Sequence, residues 1–374
     1  MKITFVTRDW VSLTGGIKVV ATYADRLRKR GHDVLVVCPK KRTPSFKKQV
    51  RSLLKGSGWI NRKNIGPSHF DGMEVPRKIL DHQPPVIDSD LPDADVVIAS
   101  WWETAEWVAA LSPSKGAKAY FIQHHEVHDY LPIDRVKATY SLPLHKITIS
   151  NWLVEIMQTQ YHDFCVSLVP NSVDFDKFYA KPRSKQSIPT MGTMYASDRR
   201  WKGSDITLAA FSMARQEIDH LRLVAFGHAE PTPELPLPQD TVYICQPSQE
   251  RIREFYSQSD AWLFGSRVEG FGLPILEAMA CRTPVIGTPA GAAPELLANG
   301  AGILVNPEDP EDMAKAIVKI CRFSEEEWQQ MSDVAYRKVT GYTWEDATTQ
   351  FEAALYEAIK RTNHGGIQSL VLHQ

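Results

Sequence analysis

The chain of 374 residues is short of cysteine, of net charge and of long apolar runs, and each shortage closes a class of function. Its five cysteines, Cys38, Cys165, Cys245, Cys281 and Cys321, are far apart, odd in number and form no C-x-x-C. That spacing offers no disulfide framework and predicts reduced, buried thiols in a cytosolic protein. No apolar run approaches ~18 residues, and the chain opens directly on an apolar strand, so neither a membrane span nor a signal peptide is expected. Basic and acidic residues number 43 and 44, a formal charge of −1, which gives no electrostatic case for nucleic acid as a partner. The fingerprint G-x-G-x-x-G is missing, which makes a dehydrogenase a distant reading. The length favours about two domains, each large enough for its own core.

What the sequence does hold centres on the stretch from Ser266 to Glu277, Ser-Arg-Val-Glu-Gly-Phe-Gly-Leu-Pro-Ile-Leu-Glu. Before it, Ala261-Trp262-Leu263-Phe264 has the short apolar run of a buried strand. After it, Ile275 to Cys281 is expected as a helix, with Pro274 at its first position, where a missing N–H costs nothing. A strand end, a glycine-bearing loop and a helix start therefore meet at one point. The unpaired N–H groups and dipole of such a helix start can hold an anion. Gly270 and Gly272 allow the backbone close to a ligand. Glu277 is expected in the first turn and Glu269 in the loop before it. Two carboxylates flanking a phosphate site suit a sugar nucleotide, one for ribose hydroxyls and one for hexose hydroxyls.

The rest of the chain alternates strand and helix, which predicts parallel sheets with right-handed crossovers. Strands are expected at Lys2 to Thr7, Val34 to Cys38, Asp95 to Ser100, Ala117 to Gln123, Lys146 to Ser150 and Phe164 to Val169. Further strands are expected at Met191 to Tyr195, Leu223 to Gly227 and Val242 to Cys245. Gly15-Gly16 opens the first helix, from about Gly16 to Arg30, either as a turn needing positive φ or as a close backbone approach to a diphosphate. Lys40 to Lys63 carries nine basic residues and no acidic one, with Phe46, Val50, Leu53, Leu54 and Trp59 interleaved. It reads as a solvated, mobile loop or as a segment that meets anionic lipid headgroups. Gln123-His124-His125-Glu126 follows a strand end, where catalytic groups gather. Adjacent side chains there diverge and no third ligand is evident, so a zinc site is not expected. Residues 176–189 read as a linker, and Thr362 to Gln374 as a disordered tail.

Glu269-Gly-Phe-Gly-Leu-Pro-Ile-Leu-Glu277, followed by Thr283-Pro-Val-Ile-Gly287 and by Gly291-x-x-Pro294-Glu295, resembles the signature of glycosyltransferase family 4, of the type that builds bacterial surface polysaccharides. The resemblance implies an α/β protein of the GT-B fold, two Rossmann-like domains with parallel sheets facing a central cleft. It would place an acceptor domain at 1–175, a nucleotide-sugar donor domain at 176–345 and a helix crossing back, with a tail, at 346–374. Pro170-Asn171-Ser172-Val173-Asp174 is similar to the P-N-G-V-D turn of the family, with Ser172 for glycine, and Lys202-Gly203 to its K-G element. The family's arginine is missing, since Thr193 follows Gly192; Arg199 or Arg200 is expected to stand in. The implied reaction is a retaining, metal-independent transfer of a hexose or deoxyhexose of mannose, rhamnose or glucose type, without cofactor. The partners would be a nucleotide-diphosphate sugar and a glycan or lipid-linked acceptor. The implied catalytic set is His125 (with His124 as its neighbour), Glu269 and Lys202. Gly15, Gly16, Arg200, Gln246, Gly270, Phe271, Gly272, Leu273 and Glu277 would bind the donor. The implied place is the cytoplasm, with peripheral contact to an anionic membrane through residues 40–63. Rival readings are another GT-B enzyme, such as an epimerase, and a non-catalytic nucleotide-sugar-binding partner.

Overall fold

The structure, a computed structural model, describes residues 1–11, 14–41, 46–54, 58 and 67–363. The chain forms two compact units, Met1–Val169 with Thr348–Gln374, and Pro170–Ala347.

The first unit has strands β1 (Lys2–Val6), β2 (Asp33–Cys38), β3 (Arg77–Ile79), β4 (Val96–Ala99), β5 (Ala117–Ile122), β6 (His145–Thr148) and β7 (Ser167–Leu168). They lie in the order β3-β2-β1-β4-β5-β6-β7, every pairing parallel. Its helices are α1 (Gly15–Lys29), α2 (Phe46–Leu54), α3 (Trp102–Ala110), α4 (Ile133–Tyr140) and α5 (Asn151–Tyr161). Central β4, Val-Val-Ile-Ala, is wholly buried, as a parallel strand covered on both faces must be. The order reverses between β1 and β4, and a doubly wound sheet opens a crevice outside the carboxyl ends of the two strands at that reversal.

The second unit repeats the plan with β8 (Thr190–Tyr195), β9 (Arg222–Gly227), β10 (Val242–Cys245), β11 (Ala261–Phe264), β12 (Val285–Gly287) and β13 (Gly302–Leu304). The order is β10-β9-β8-β11-β12-β13, again parallel, so here the reversal falls between β8 and β11. Around the sheet lie α6 (Ser204–Ala214), α7 (Gln249–Ser257), α8 (Leu273–Ala280), α9 (Ala293–Leu297), α10 (Pro310–Arg322) and α11 (Glu325–Thr340). The expected linker, 176–189, has no helix or strand but is strapped to this unit. Arg183 stacks over Trp328 at 4.7 Å, and Lys185 Nζ donates to the carbonyls of Cys321 and Phe323, each at 2.8 Å.

Helix α12 (Trp344–Asn363) packs into the first unit from Thr348 onward. Phe351, fully buried, stacks on Tyr23 at 4.2 Å, and Glu352 bonds Arg30 and His32, each at 2.9 Å. Thr362 and Asn363, expected in a disordered tail, are the helix's last residues; 364–374 lie outside the described residues. Two further expectations change. All five cysteines are free, but Cys165, Cys245 and Cys321 are half-buried rather than buried. The strand expected at Phe164 to Val169 shrinks to two residues, with Phe164 exposed.

Near the end of α12, Arg361 Nη1 donates to His145 Nδ1 at 2.9 Å, which leaves His145 Nε2 to donate to Ser167 Oγ, also at 2.9 Å. Burial, with the Arg361 charge beside it, pushes the His145 imidazole down from 6.5 to about 4. The unfolded chain therefore binds the extra proton at a higher pH than the folded one. The contribution is intact above 6.5 and is lost as pH falls towards 4. A His145→Gln variant should show a smaller drop in Tm than the wild type between those two pH values. Parallel Tm–pH curves would contradict the buried neutral imidazole.

Candidate functional site

In the second unit the loops after β8 and β11 meet at the sheet's reversal. The first ends in a 3₁₀ turn, Arg200–Lys202, followed by Gly203 at φ +63°, where α6 starts. The second begins at Gly265. A Cβ on Gly203 would lie 1.7 Å from the Gly265 carbonyl oxygen, and one on Gly265 would lie 2.7 Å from the Gly203 oxygen. The two backbones thus touch, and neither residue tolerates a side chain.

That contact brings the two key side chains together. Lys202 Nζ donates to Glu269 Oε1 at 2.5 Å, with side chains 17% and 13% exposed, and Ser266 Oγ donates to the same oxygen at 2.8 Å. Beyond Glu269 the chain turns through Gly272, whose φ of +104° only glycine adopts readily, into α8. Gly270 has no such φ among the described residues, and Phe271 is buried with its carbonyl accepting from Ala292 N–H at 2.8 Å. Leu273 opens α8 and Pro274 is second, so the helix starts earlier than the sequence suggests. No side chain caps it and its first turn holds no acid, which leaves the dipole's positive end for a ligand. Glu277 is consequently the fifth helical residue, outside the first turn where it was expected. Its Oε2 accepts from the Tyr256 hydroxyl at 2.9 Å, and Tyr256 is fully buried against Trp262.

Gln246 follows β10, exposed, in a left-handed conformation at φ +51°. Its Nε2 donates to the His228 carbonyl at 3.0 Å. Arg200 is exposed; its carbonyl, not its side chain, is engaged, accepting from Arg267.

In the first unit Gly15 and Gly16 form the opening turn of α1 rather than a loop, and neither has positive φ, so the first of their two readings fails. Gln123, at the end of β5, donates its Nε2 to the Gly16 carbonyl at 3.2 Å. The two histidines diverge. His125 Nε2 meets the Tyr161 hydroxyl at 2.8 Å, its ring lies 5.3 Å from Tyr140, and burial pushes it down to about 4. His125 is therefore a neutral ring packed among tyrosines. His124 turns instead towards Trp152 and His128, at 6.3 and 5.1 Å between ring centroids. Among the described residues no group of three or more His, Cys, Asp or Glu is placed to hold a metal ion.

Three contacts near these residues escape a reading of the sequence. Tyr256, Gln123 and Glu126 each act through a contact with a residue distant in the chain. Glu126 is buried, which raises its carboxyl well above the usual range, and accepts from the Trp102 N–H at 3.1 Å. Only its place after a strand end offered a signal.

Comparison with known proteins bears on these geometries. Residues 185–322 match the family model described as glycosyl transferases group 1. Among curated proteins the chain is 32% identical over 121 residues to N-acetyl-alpha-D-glucosaminyl L-malate synthase of Bacillus anthracis, 32% of each chain. It is 28% identical over 109 residues to O-antigen chain mannosyltransferase B of Escherichia coli, 29% of this chain and 28% of that one. The match thus spans about a third of the length of these relatives. Similarity of fold runs much further. Sucrose-phosphate synthase from Thermosynechococcus elongatus superposes with a TM-score of 0.72 at 16% identity, over 97% of this chain and all of that one. Anabaena HepE, solved with UDP and glucose, gives 0.71 at 16% identity over 96% of this chain and all of that one. The fold is GT-B, an α/β architecture of two units built on parallel sheets.

The backbone contact under the site makes one strict demand. Gly203→Ala combines a positive φ with a clash against backbone and should cost at least ~1–3 kcal/mol of stability. Urea denaturation measures it; a variant as stable as the wild type would mean the two loops do not touch.

Proposed function

We propose that the protein is a family 4 glycosyltransferase. It moves a hexose or deoxyhexose, of mannose, rhamnose or glucose type, from a nucleoside-diphosphate sugar to a glycan or lipid-linked acceptor. The observation that carries this is the Lys202–Glu269 pair beside the uncapped start of α8. Glycosyl transfer builds negative charge on the departing diphosphate, and a preorganised cation with helix N–H groups stabilises that charge without a metal. Lys202 takes this role by exchanging Glu269 for phosphate oxygens. Glu269, so released, accepts hydrogen bonds from the hexose hydroxyls. Glu277, aimed by Tyr256, accepts from the ribose hydroxyls. Gly270, Phe271, Gly272 and Leu273 bring backbone to the donor, and Gln246, turned outward at the end of β10, meets the base. In the first unit Gly15 and Gly16 leave the start of α1 open to an anion. His125, the choice by its position after β5, or its neighbour His124 meets the sugar; both rings are packed against aromatic side chains. Retention of configuration is inferred from the family alone; a double displacement would need a carboxylate beneath the anomeric carbon, and no carboxylate is assigned there. The similarity to HepE, whose structure holds UDP and glucose, supports a nucleotide-sugar donor.

The test is calorimetric titration with a panel of UDP-, GDP- and dTDP-sugars, followed by transfer assays. One donor should bind, and Glu277→Gln should weaken it roughly 10- to 150-fold, the worth of a hydrogen bond to a charged group. Turnover should survive EDTA. Unaltered affinity in Glu277→Gln would remove the ribose role, and activity lost to EDTA and restored by magnesium would end the metal-independent mechanism.

The acceptor's attachment to lipid has its own observation. Part of the basic segment expected as a loop is helix α2, on which Phe46, Val50, Leu53 and Leu54 fall along one stripe. Phe46 is 77% and Leu54 82% exposed, with Lys47 and Arg51 on the flank. Arg42, Lys55, Trp59, Arg62 and Lys63 lie outside the described residues. An apolar stripe edged by lysine and arginine fits the headgroup layer of an anionic membrane, each basic residue adding about 1 kcal/mol. The wild type should sediment with phosphatidylserine vesicles at low salt. Leu53→Ser/Leu54→Ser and Lys47→Ser/Arg51→Ser should not. Wild-type protein left in the supernatant would refute the membrane contact.

A further inference from the structure

Arg267 lies two residues before Glu269, and its contacts converge on the turn that carries Lys202. Its N–H donates to the Trp201 carbonyl at 2.8 Å. Its guanidinium Nη1 donates to Asp205 Oδ1 at 2.9 Å and to the Arg200 carbonyl. Nη2 donates to Asp205 Oδ2 at 2.8 Å and to Glu308 Oε2 at 2.9 Å, while Nε lies 2.5 Å from Glu308 Oε1. A guanidinium has five N–H groups, and here all five are spent within the protein. Two carboxylates also more than balance its charge. Arg267 therefore has nothing left to offer a phosphate, although it stands in the loop where a phosphate ligand would be sought.

The three segments it joins have different roles. Arg200 and Trp201 belong to the lysine turn, and Asp205 is the second residue of α6, immediately beyond that turn. Glu308 follows β13 and is held at φ +56°, a conformation that costs a non-glycine residue energy and persists only where its surroundings fix it. The main chain on both sides of Lys202 is thus tied to the loop that carries Glu269.

We infer that Arg267 is a positioning residue for Lys202: it fixes the backbone of the 200–205 turn against the Glu269 loop, so that a nucleoside diphosphate need only draw the lysine side chain from one oxygen partner to another. The inference rests on the diphosphate role proposed for Lys202. Lysine is a charge on a flexible stem, and the penalty for immobilising it on a ligand is smallest where its Cα is already fixed. The planar fork of arginine can grip both carboxylates and a carbonyl at once, which a lysine at 267 could not.

Calorimetric titration of the full chain with UDP, GDP, dTDP and the matching monophosphates UMP, GMP and dTMP tests this, using Arg267→Met, Arg267→Lys, Asp205→Asn, Lys202→Met and the double variant Lys202→Met/Arg267→Met. Arg267→Met should weaken diphosphate binding about tenfold, the size of one charged hydrogen bond, and leave monophosphate affinity within about twofold. Arg267→Lys should fail to restore it, because charge without the fork is not enough. In the Lys202→Met background the Arg267 substitution should add no further loss, since its effect passes through the lysine. Should Arg267→Met not fold, as thermal unfolding would show, Asp205→Asn opens the same fork more gently and should weaken diphosphate binding in the same selective way. Additive losses in the double variant, equal losses for mono- and diphosphates, or full affinity in Arg267→Lys would each overturn the inference while leaving the proposed function standing. A wild type that binds none of the three diphosphates would remove the proposed function and this inference together.

Discussion

The site depends on a contact that contains no functional group, the approach of the Gly203 and Gly265 backbones. Two loops leaving adjacent parallel strands diverge unless something holds them, because the helices that follow go to opposite sides of the reversal between β8 and β11. Here the missing side chains let carbonyl and Cα come within van der Waals range. Thr207, on the first turns of α6, closes the gap, since a Cβ on Gly265 would reach its methyl group at 2.7 Å. Once these backbones touch, a lysine one residue before Gly203 and a glutamate four residues after Gly265 fall within a hydrogen bond of each other. The rest of the site is an elaboration of that constraint.

The Lys202–Glu269 pair is also an energetic statement. Both side chains are mostly buried, and removing one member of such a pair costs ~3–5 kcal/mol, since the other is left charged and unmatched. In the absence of ligand each therefore serves as the other's solvent. Ser266 gives the glutamate a second donor, so that Glu269 keeps a partner if the lysine turns away. A diphosphate is the kind of ligand that can enter such an arrangement at low cost. It brings the negative oxygens that Lys202 would lose, and a sugar brings the hydroxyl donors that Glu269 would lose.

Much of this was legible in the sequence, and the boundary of what was legible has a physical cause. The strand at Ala261–Phe264 and the loop before α8 could be located because apolar periodicity and glycine chemistry are local. Glu269 could be singled out because it stands in a glycine-bearing loop between a strand and a helix start, and Lys202 because Lys202-Gly203 resembles the K-G element of family 4. The position of Glu277 was misjudged by one residue, since Leu273 rather than Pro274 begins the helix, and that residue carries it past the first turn. The fate of His125 was invisible, because Tyr140 and Tyr161 reach it from helices 15 and 36 residues away. Helix α2 was hidden for another reason. Its nine residues carry four basic or amide side chains among exposed apolar ones, a pattern that charge counting reads as loop. Tyr256 and Gln123 hold functional candidates in place, yet Tyr256 signals nothing before folding and Gln123 only its place after a strand end.

The distribution of positive charge completes the argument. A cluster of arginines is one way to build a diphosphate site, but the guanidinium standing in this loop is consumed by Asp205 and Glu308. What remains for an anion in this turn is Lys202, already neutralised by a glutamate, the exposed Arg200 two residues before it, and the start of a helix whose first turn holds no acid. Because the lysine and glutamate offset each other, the pair can be largely buried without an unmatched charge. The site's attraction for an anion is short-ranged and geometric, resting on helix N–H groups and on a lysine that can exchange its partner. Geometry that must do the work of charge has to be fixed in advance. That is why the second unit devotes two glycines and one fully engaged arginine to holding a single turn in place.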